Sequence, residues 1–280
     1  GTAMHNRPSR RIELSYGRQG MVLSVPAGCD VLHGQDVAAL PDPGRAVRQA
    51  LAAPIGTRPL ADLLRYRAPR SLAITVSDIT RPVPNRDFLP ALLETIHGAG
   101  VPPSAVVIVV GTGMHRPSTH EELERIVGRG ILEGYEVLDH RAADPATLVT
   151  VSETPPVRVC RRFAEADFRI VTGYIEPHFM AGFSGGRKGV CPALVDLATV
   201  QRFHGYETLS DPRAENGVLE GNPCHRIALE VARCVGVDFL FNVAVTRDRQ
   251  IAGIYCGELE EAHLAGCRQV AGWTQACVRG

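Results

Sequence analysis

Between Gly173 and Leu194 the chain reads GYIEPHFMAGFSGGRKGVCPAL, the stretch richest in side chains and spacings that can do chemistry. It holds His178, the glycine pair Gly185 and Gly186, and the basic pair Arg187-Lys188, and His204 follows shortly after. Neighbouring glycines let backbone N–H groups converge on an anion, because no Cβ stands in the way. A lysine beside such a loop can hold phosphate or, once deprotonated, become a covalent attachment point. Flanking histidines offer proton transfer or metal ligation. The bland alternative, an exposed basic glycine loop, needs no such company, so the segment reads as a reactive centre. It is not a P-loop, which needs Gly directly before Lys and Ser or Thr directly after it. Here Arg187 precedes Lys188 and Gly189 follows it.

SDITRPVP carries Asp78, Ile79, Thr80 and Arg81 ahead of prolines that stiffen the turn. An isolated D-x-x-R is most simply a turn-closing ion pair. Its functional alternative is a nucleotide clamp, with Arg81 toward phosphate and Asp78 toward a ribose or a cationic ring. GTGMHRP sets His115 behind a flexible Gly-Thr-Gly turn, and it does not match the dinucleotide fingerprint GxGxxG. A solvated loop histidine is the ordinary alternative for His115, and His140 is open to the same doubt. His120 lies inside a helix start and is set aside. His115, His178 and His204 taken together lack the H-x-x-x-H spacing of common zinc sites, which tells against a zinc hydrolase. Cys191 reads as a buried structural thiol rather than a soft metal ligand.

The elements that must position these residues follow from apolar periodicity. RIELSYGR and MVLSVP, separated by Gln19-Gly20, suit a β-hairpin. A short helix is expected over 44–53, then the buried strand LAITVSD, a helix over 85–98 and the strand VVIVVGT. A helix over 118–128 opens with Ser118-x-x-Glu121, a capping-box pattern. The strands YEVLDH and FRIVTGYI come next, with helices over 196–204 and 222–235. FLFNVAVT, a turn at Asp248-Arg249, IAGIYCG and a final helix from Glu258 to about Thr274 complete the chain. Alternating strands and helices predict an α/β, Rossmann-like, mostly parallel sheet with helices on both faces, preceded by the hairpin. Ligands of such sheets sit beyond the carboxyl ends of the strands. Asp78, His115 and His178 each follow a strand end, so they can converge on one crevice.

Composition bounds the partners. The 280 residues carry no net charge and are 45% hydrophobic, so nothing argues for a nucleic-acid or membrane-surface partner. No stretch is long and apolar enough to span a bilayer. The opening GTAM resembles an expression scar, so residues 1–10 are expected to be a remnant or disordered start and 11–280 the folded part. Eight cysteines without a CxxC pair suggest reduced thiols in a cytoplasmic protein.

In order along the chain, SDITRPVP, GTGMHRPST, the His140 position, GYIEPH, AGFSGGRK and the following FHG resemble the catalytic domain of the nickel-dependent lactate racemase family. The resemblance runs from about Tyr16 to the helix after IAGIYCGELEEAH. It implies a nickel-pincer nucleotide, a pyridinium mononucleotide whose two thiocarboxyl arms hold nickel. Carried over by motif, Lys188 would bear the thioamide link, His204 would bind nickel, and His115 and His178 would be the acid/base pair. Asp78, Ile79, Thr80 and Arg81 would contact the nucleotide with Gly185 and Gly186, and Arg81 would also orient the substrate. The implied reaction is racemisation or epimerisation of a small 2-hydroxy acid by hydride transfer coupled to proton transfer. Proteins that make the cofactor are the implied partners.

Two departures from the family pattern bear on that expectation. CPAL stands where a Pro-Gly turn is more usual, so Ala193 is expected to reshape the loop after Lys188. Family enzymes also carry a second lobe that adds side chains to the substrate pocket, and that lobe is expected to lie outside this sequence. The isolated chain is therefore expected to show little racemase activity. The alternatives are a domain that carries the cofactor without turnover, and a conventional metal-dependent hydrolase.

Overall fold

The computed structural model describes residues 8–14, 16–17 and 19–276. The hairpin forms as the alternation predicts: β1 (Ser9–Leu14) pairs antiparallel with β2 (Met21–Pro26), from Ser9 opposite Pro26 to Leu14 opposite Met21. It belongs to one compact unit, and residues 36–274 form another.

The larger unit starts with α1 (Pro43–Ala52), whose first turn is closed by the Asp42 side chain accepting from the Arg45 N–H. It continues through α2 (Leu60–Arg67), β3 (Leu72–Ser77), α3 (Asn85–Gly98) and β4 (Val106–Gly111). Next come α4 (His120–Val127), α5 (Arg129–Gly134), β5 (Glu136–Asp139), the hairpin of β6 (Leu148–Glu153) and β7 (Pro156–Cys160), and α6 (Arg161–Ala164). Then follow β8 (Phe168–Tyr174), the two-residue strands β9 (Pro177–His178) and β10 (Gly182–Phe183), α7 (Leu197–Phe203) and α8 (Tyr206–Leu209). The chain finishes with α9 (Pro223–Val235), β11 (Phe239–Val245), β12 (Ile251–Gly257) and α10 (Leu259–Thr274).

The capping box of α4 is Thr119 with Glu122, not Ser118 with Glu121. The Ser118 N–H and hydroxyl donate instead to the Asp139 carboxylate at the end of β5, at 2.9 and 2.8 Å.

The central sheet has six strands in the order β12-β11-β8-β3-β4-β5, and every neighbouring pair is parallel except β11 with β12. Period-two alternation sorts its side chains onto two cores. Leu72, Ile74, Val76, Ile108, Ile170 and Phe241 pack on one face with α1, α2 and α3. Ala73, Val107, Val109, Val171 and Leu240 pack on the other with α6, α7 and α9. From β3 the chain first builds outward through β4 to β5, then returns to add β8 on the other side of β3. That reversal opens a crevice at the carboxyl ends of β8, β3 and β4. Among the described residues no helix is long and apolar enough to cross a membrane. All seven described cysteines are free thiols.

Candidate active site

A cavity of about 400 Å³ occupies that crevice. Its walls come from the ends of β3 (Asp78, Arg81), β4 (Gly111 to His115) and β8 (Gly173, Tyr174), from the loop carrying His178, Gly185 and Lys188, and from His204 after α7. Size and position both suit a small-molecule site. Asp78 is the only carboxylate among the lining residues, and Arg81 and Lys188 are the cations, so the walls favour an anionic occupant.

On the β4 side, His115 Nδ1 lies 2.6 Å from Asp78 Oδ2. The carboxylate is an acceptor, so Nδ1–H donates and Nε2 keeps its lone pair. Asp78 is buried and its other oxygen accepts from the Thr80 N–H (3.2 Å) and hydroxyl (2.6 Å), which fixes the carboxylate before it fixes the imidazole. Arg81 is exposed and lines the cavity, whereas Ile79 is exposed and, like Thr80, is not among the residues of its wall.

On the β8 side, His178 is buried and partnered differently. Its Nδ1 accepts from the backbone N–H groups of Met180 (3.4 Å) and Ala181 (3.3 Å), and its Nε2 stands 2.9 Å from Lys188 Nζ. Burial, then the charges of Lys188, Arg81 and Arg187, push the imidazole down to about 3. Burial, then Arg187 and Arg81, pull the Lys188 ammonium down to about 7, so a large share is free amine at neutral pH.

The glycine-rich loop is held from behind. Gly185 and Gly186 take positive φ of 74° and 56°. A Cβ on Gly185 would come within 2.6 Å of Asn242 Oδ1, and one on Gly186 within 2.5 Å of the His263 ring. The Gly186 N–H donates to Asn242 Oδ1 at 2.7 Å, so that amide faces the protein, whereas Gly185 lines the cavity. Arg187 turns inward and is 1% exposed, which sets it apart from an exposed basic pair. Its guanidinium donates to the carbonyls of Ala181 (2.7 Å), Phe183 (2.9 Å) and Gly185 (3.1 Å), and Nη1 meets His263 of α10 at 3.2 Å. With Arg187 committed to the loop carbonyls, Lys188 is left to face the cavity.

His204 also lines the cavity, and its Nδ1 donates to the Val200 carbonyl at 3.1 Å, leaving Nε2 as the free lone pair. Burial shifts this imidazole below its ordinary value, so it stays neutral. A histidine anchored this way is ready to ligate a metal. His140 lies elsewhere: it is buried, with Nε2 donating to the Val195 carbonyl at 2.8 Å. His120 opens α4 outside the cavity. Cys191 is fully buried in the α7–α9 core, and burial pushes its thiol up to about 12. Ala193 meets the β4 end directly, its carbonyl accepting from the Gly113 N–H at 2.9 Å.

Three contributors escape a reading of motifs alone: Asn242, His263 and the Tyr174–Glu176 hydrogen bond beside the cavity. Asn242 did leave a trace, as a polar residue in the middle of the apolar run FLFNVAV.

Residues 16–217 match the family described as the lactate racemase N-terminal domain. The chain is 38% identical over 224 residues to a lactate racemase of Lactiplantibacillus plantarum, across 79% of this chain and 52% of that protein. It is 35% identical over 228 residues to a lactate racemase of Thermoanaerobacterium thermosaccharolyticum, across 80% of this chain and 53% of that one. Among solved structures, the lactate racemase apoprotein from Thermoanaerobacterium thermosaccharolyticum superposes with a TM-score of 0.83 at 31% identity, covering 94% of this chain and 63% of that one. A Thermotoga maritima protein, at a TM-score of 0.66 and 20% identity over 86% of this chain and 60% of that one, shares the fold alone. The chain spans about half the length of the curated relatives it matches.

Proposed function

The chain belongs to the lactate racemase family, and from that membership we propose that it forms the cofactor-binding, catalytic part of a racemase or epimerase acting on a small 2-hydroxy acid. One observation carries the reading: the Asp78–His115 pair, the His178–Lys188 pair and His204 open onto the same cavity.

The resemblance implies a nickel-pincer nucleotide, and the residues present fit it. His204, its Nδ1 held by the Val200 carbonyl, would offer Nε2 to the nickel. Lys188, partly a free amine, suits covalent attachment. Arg81 suits an anionic group, phosphate or substrate carboxylate. Held by Lys188, Arg81 and His204, the cofactor would supply an electron-poor centre suited to hydride chemistry at C2 of the substrate.

The protein's own part is proton transfer and orientation. His115, pinned through Nδ1 by Asp78, takes or gives the hydroxyl proton at Nε2. His178, pinned through Nδ1 by two backbone amides, does the same at its own Nε2. Two such groups serve a reaction that must run from either stereoisomer. The histidines have no need to remove the C2 proton, which is far too weakly acidic for groups of near-neutral or lower pKa.

Co-production with the cofactor-biosynthesis proteins, followed by intact-mass and nickel measurement, tests attachment and metal separately. A mass gain lost in Lys188→Ala, and nickel lost in His204→Ala with the mass gain kept, are expected. In a longer protein that carries the second lobe, a substrate deuterated at C2 should racemise in ordinary water with its label kept. No mass gain, or rapid washout of the label, overturns the reading.

A further inference from the structure

Of the 30 lysine and arginine residues in the chain, one is lysine, and it is Lys188. Arginine stays protonated at any ordinary pH, so it is no nucleophile. The only side-chain amine in this sequence therefore stands in the cavity wall, beside the imidazole of His178.

The hydrogen bonds around His178 add to burial, Arg187 and Arg81 in setting the state of that amine. Its Nδ1 faces two backbone N–H donors, from Met180 and Ala181, so Nδ1 must carry a lone pair. A neutral imidazole with a lone pair on Nδ1 carries its proton on Nε2. That N–H is directed at Lys188 Nζ, 2.9 Å away, and the lysine nitrogen can accept it only as the free amine, because an ammonium has no lone pair. The other groups around Nζ agree. Arg187 and Arg81 add positive charge that disfavours the ammonium, and burial raises the Cys191 and Cys224 thiols, so neither supplies an anion to hold it. Only the Phe203 ring, 5.5 Å from Nζ, leans toward the ammonium.

We propose that His178 is a positioning residue for cofactor attachment, holding Lys188 as the free amine so that the pocket itself makes the covalent link before His178 turns to proton transfer. The proposal rests on the reading that Lys188 bears the cofactor. The step is a condensation without change of oxidation state. Lys188 Nζ bonds to a thiocarboxyl carbon, the C–O bond of that carbon breaks, and the oxygen leaves as water with one proton from the amine and one from the thioacid. The thioamide nitrogen gives its lone pair to the C=S group and no longer accepts from His178. Nε2–H is thereby freed for the substrate, and no second lysine in this chain competes for the arm.

Trinitrobenzenesulfonate, which arylates free amines, tests this without cofactor or turnover, with peptide mapping to separate Lys188 from the α-amino group. The rate at Lys188 should rise with pH through a midpoint near 7, where an ordinary lysine reacts near 10.4. His178→Ala should slow the reaction at pH 7 by about tenfold or more and converge with the parent at pH 10. His178→Gln, whose amide N–H can take the place of Nε2–H, should restore most of the rate at pH 7 although it cannot carry a proton. A parent midpoint near 10, or a His178→Ala variant that keeps both midpoint and rate, overturns the proposal. Circular dichroism on both variants guards against misfolding, and the glutamine variant decides if the alanine variant is unfolded. Failure of the functional reading looks different: the midpoint stays near 7 while co-production adds no mass to Lys188.

Discussion

On the β4 side of the cavity His115 is half exposed and tied to a buried carboxylate; on the β8 side His178 is buried, tied to two backbone amides, and faced by cations. Each arrangement fixes which nitrogen is free, yet the surroundings differ. The Asp78 carboxylate faces His115, whereas burial and the neighbouring basic side chains disfavour an imidazolium at His178. On the proposed reading both imidazoles must give and take a proton, so the two sides reach the same task from different surroundings.

The largest effect that would break the comparison is total. Lys188→Met should abolish the covalent mass gain in the presence of the biosynthesis proteins, because no other lysine in the chain can substitute, and residual attachment would show that the link lies elsewhere. Next in size, His115→Ala and His178→Ala should each lower turnover by about 10²–10⁴-fold in loaded protein that carries the second lobe, as loss of a general acid/base does. Asp78→Asn should cost less, on the order of 10–100-fold, because the imidazole stays but loses the partner that orients it. An Asp78→Asn variant as damaged as His115→Ala would mean that the carboxylate does more than orient.

A smaller effect concerns stability in the unloaded protein. Folding lowers the Lys188 pKa from 10.5 to about 7, so between those values the unfolded chain binds more protons than the folded one. Stability should therefore rise with pH across that window, by on the order of 2 kcal/mol after screening, and Lys188→Met should flatten the rise. Denaturant titrations at pH 6.5 and 9.5 measure it, and an equal slope in both proteins would place the charge in solvent. Smallest of all is a change outside both sides: Thr119→Ala should cost about 1 kcal/mol through the α4 cap and leave labelling of Lys188 untouched.

Much of this site was legible because its parts are local. LAITV, VVIVV and FRIVT are runs that only a buried strand explains, and the residue types after each end carry the chemistry. What stayed hidden depends on partners far along the chain. Ser118-x-x-Glu121 and Thr119-x-x-Glu122 are equally good capping boxes, and the choice falls to Asp139, which claims Ser118. The β6–β7 hairpin is masked by Pro155 and Pro156, which make its second strand look broken. Arg187 reads as half of an exposed basic pair, since the carbonyls that draw it inside converge only once the loop has closed.

That inward arginine joins two places distant in sequence. Its guanidinium spans the carbonyls of Ala181, Phe183 and Gly185 and reaches His263 on α10, and no carboxylate among the described residues hydrogen-bonds to it. If either the loop or the helix peels away, a buried charge is stranded on the partner that remains, a costly state for both. The loop over 181–188 and α10 should consequently open as one cooperative unit. In amide hydrogen exchange their slowest protons would share a single protection factor, set by the helix rather than by the sheet.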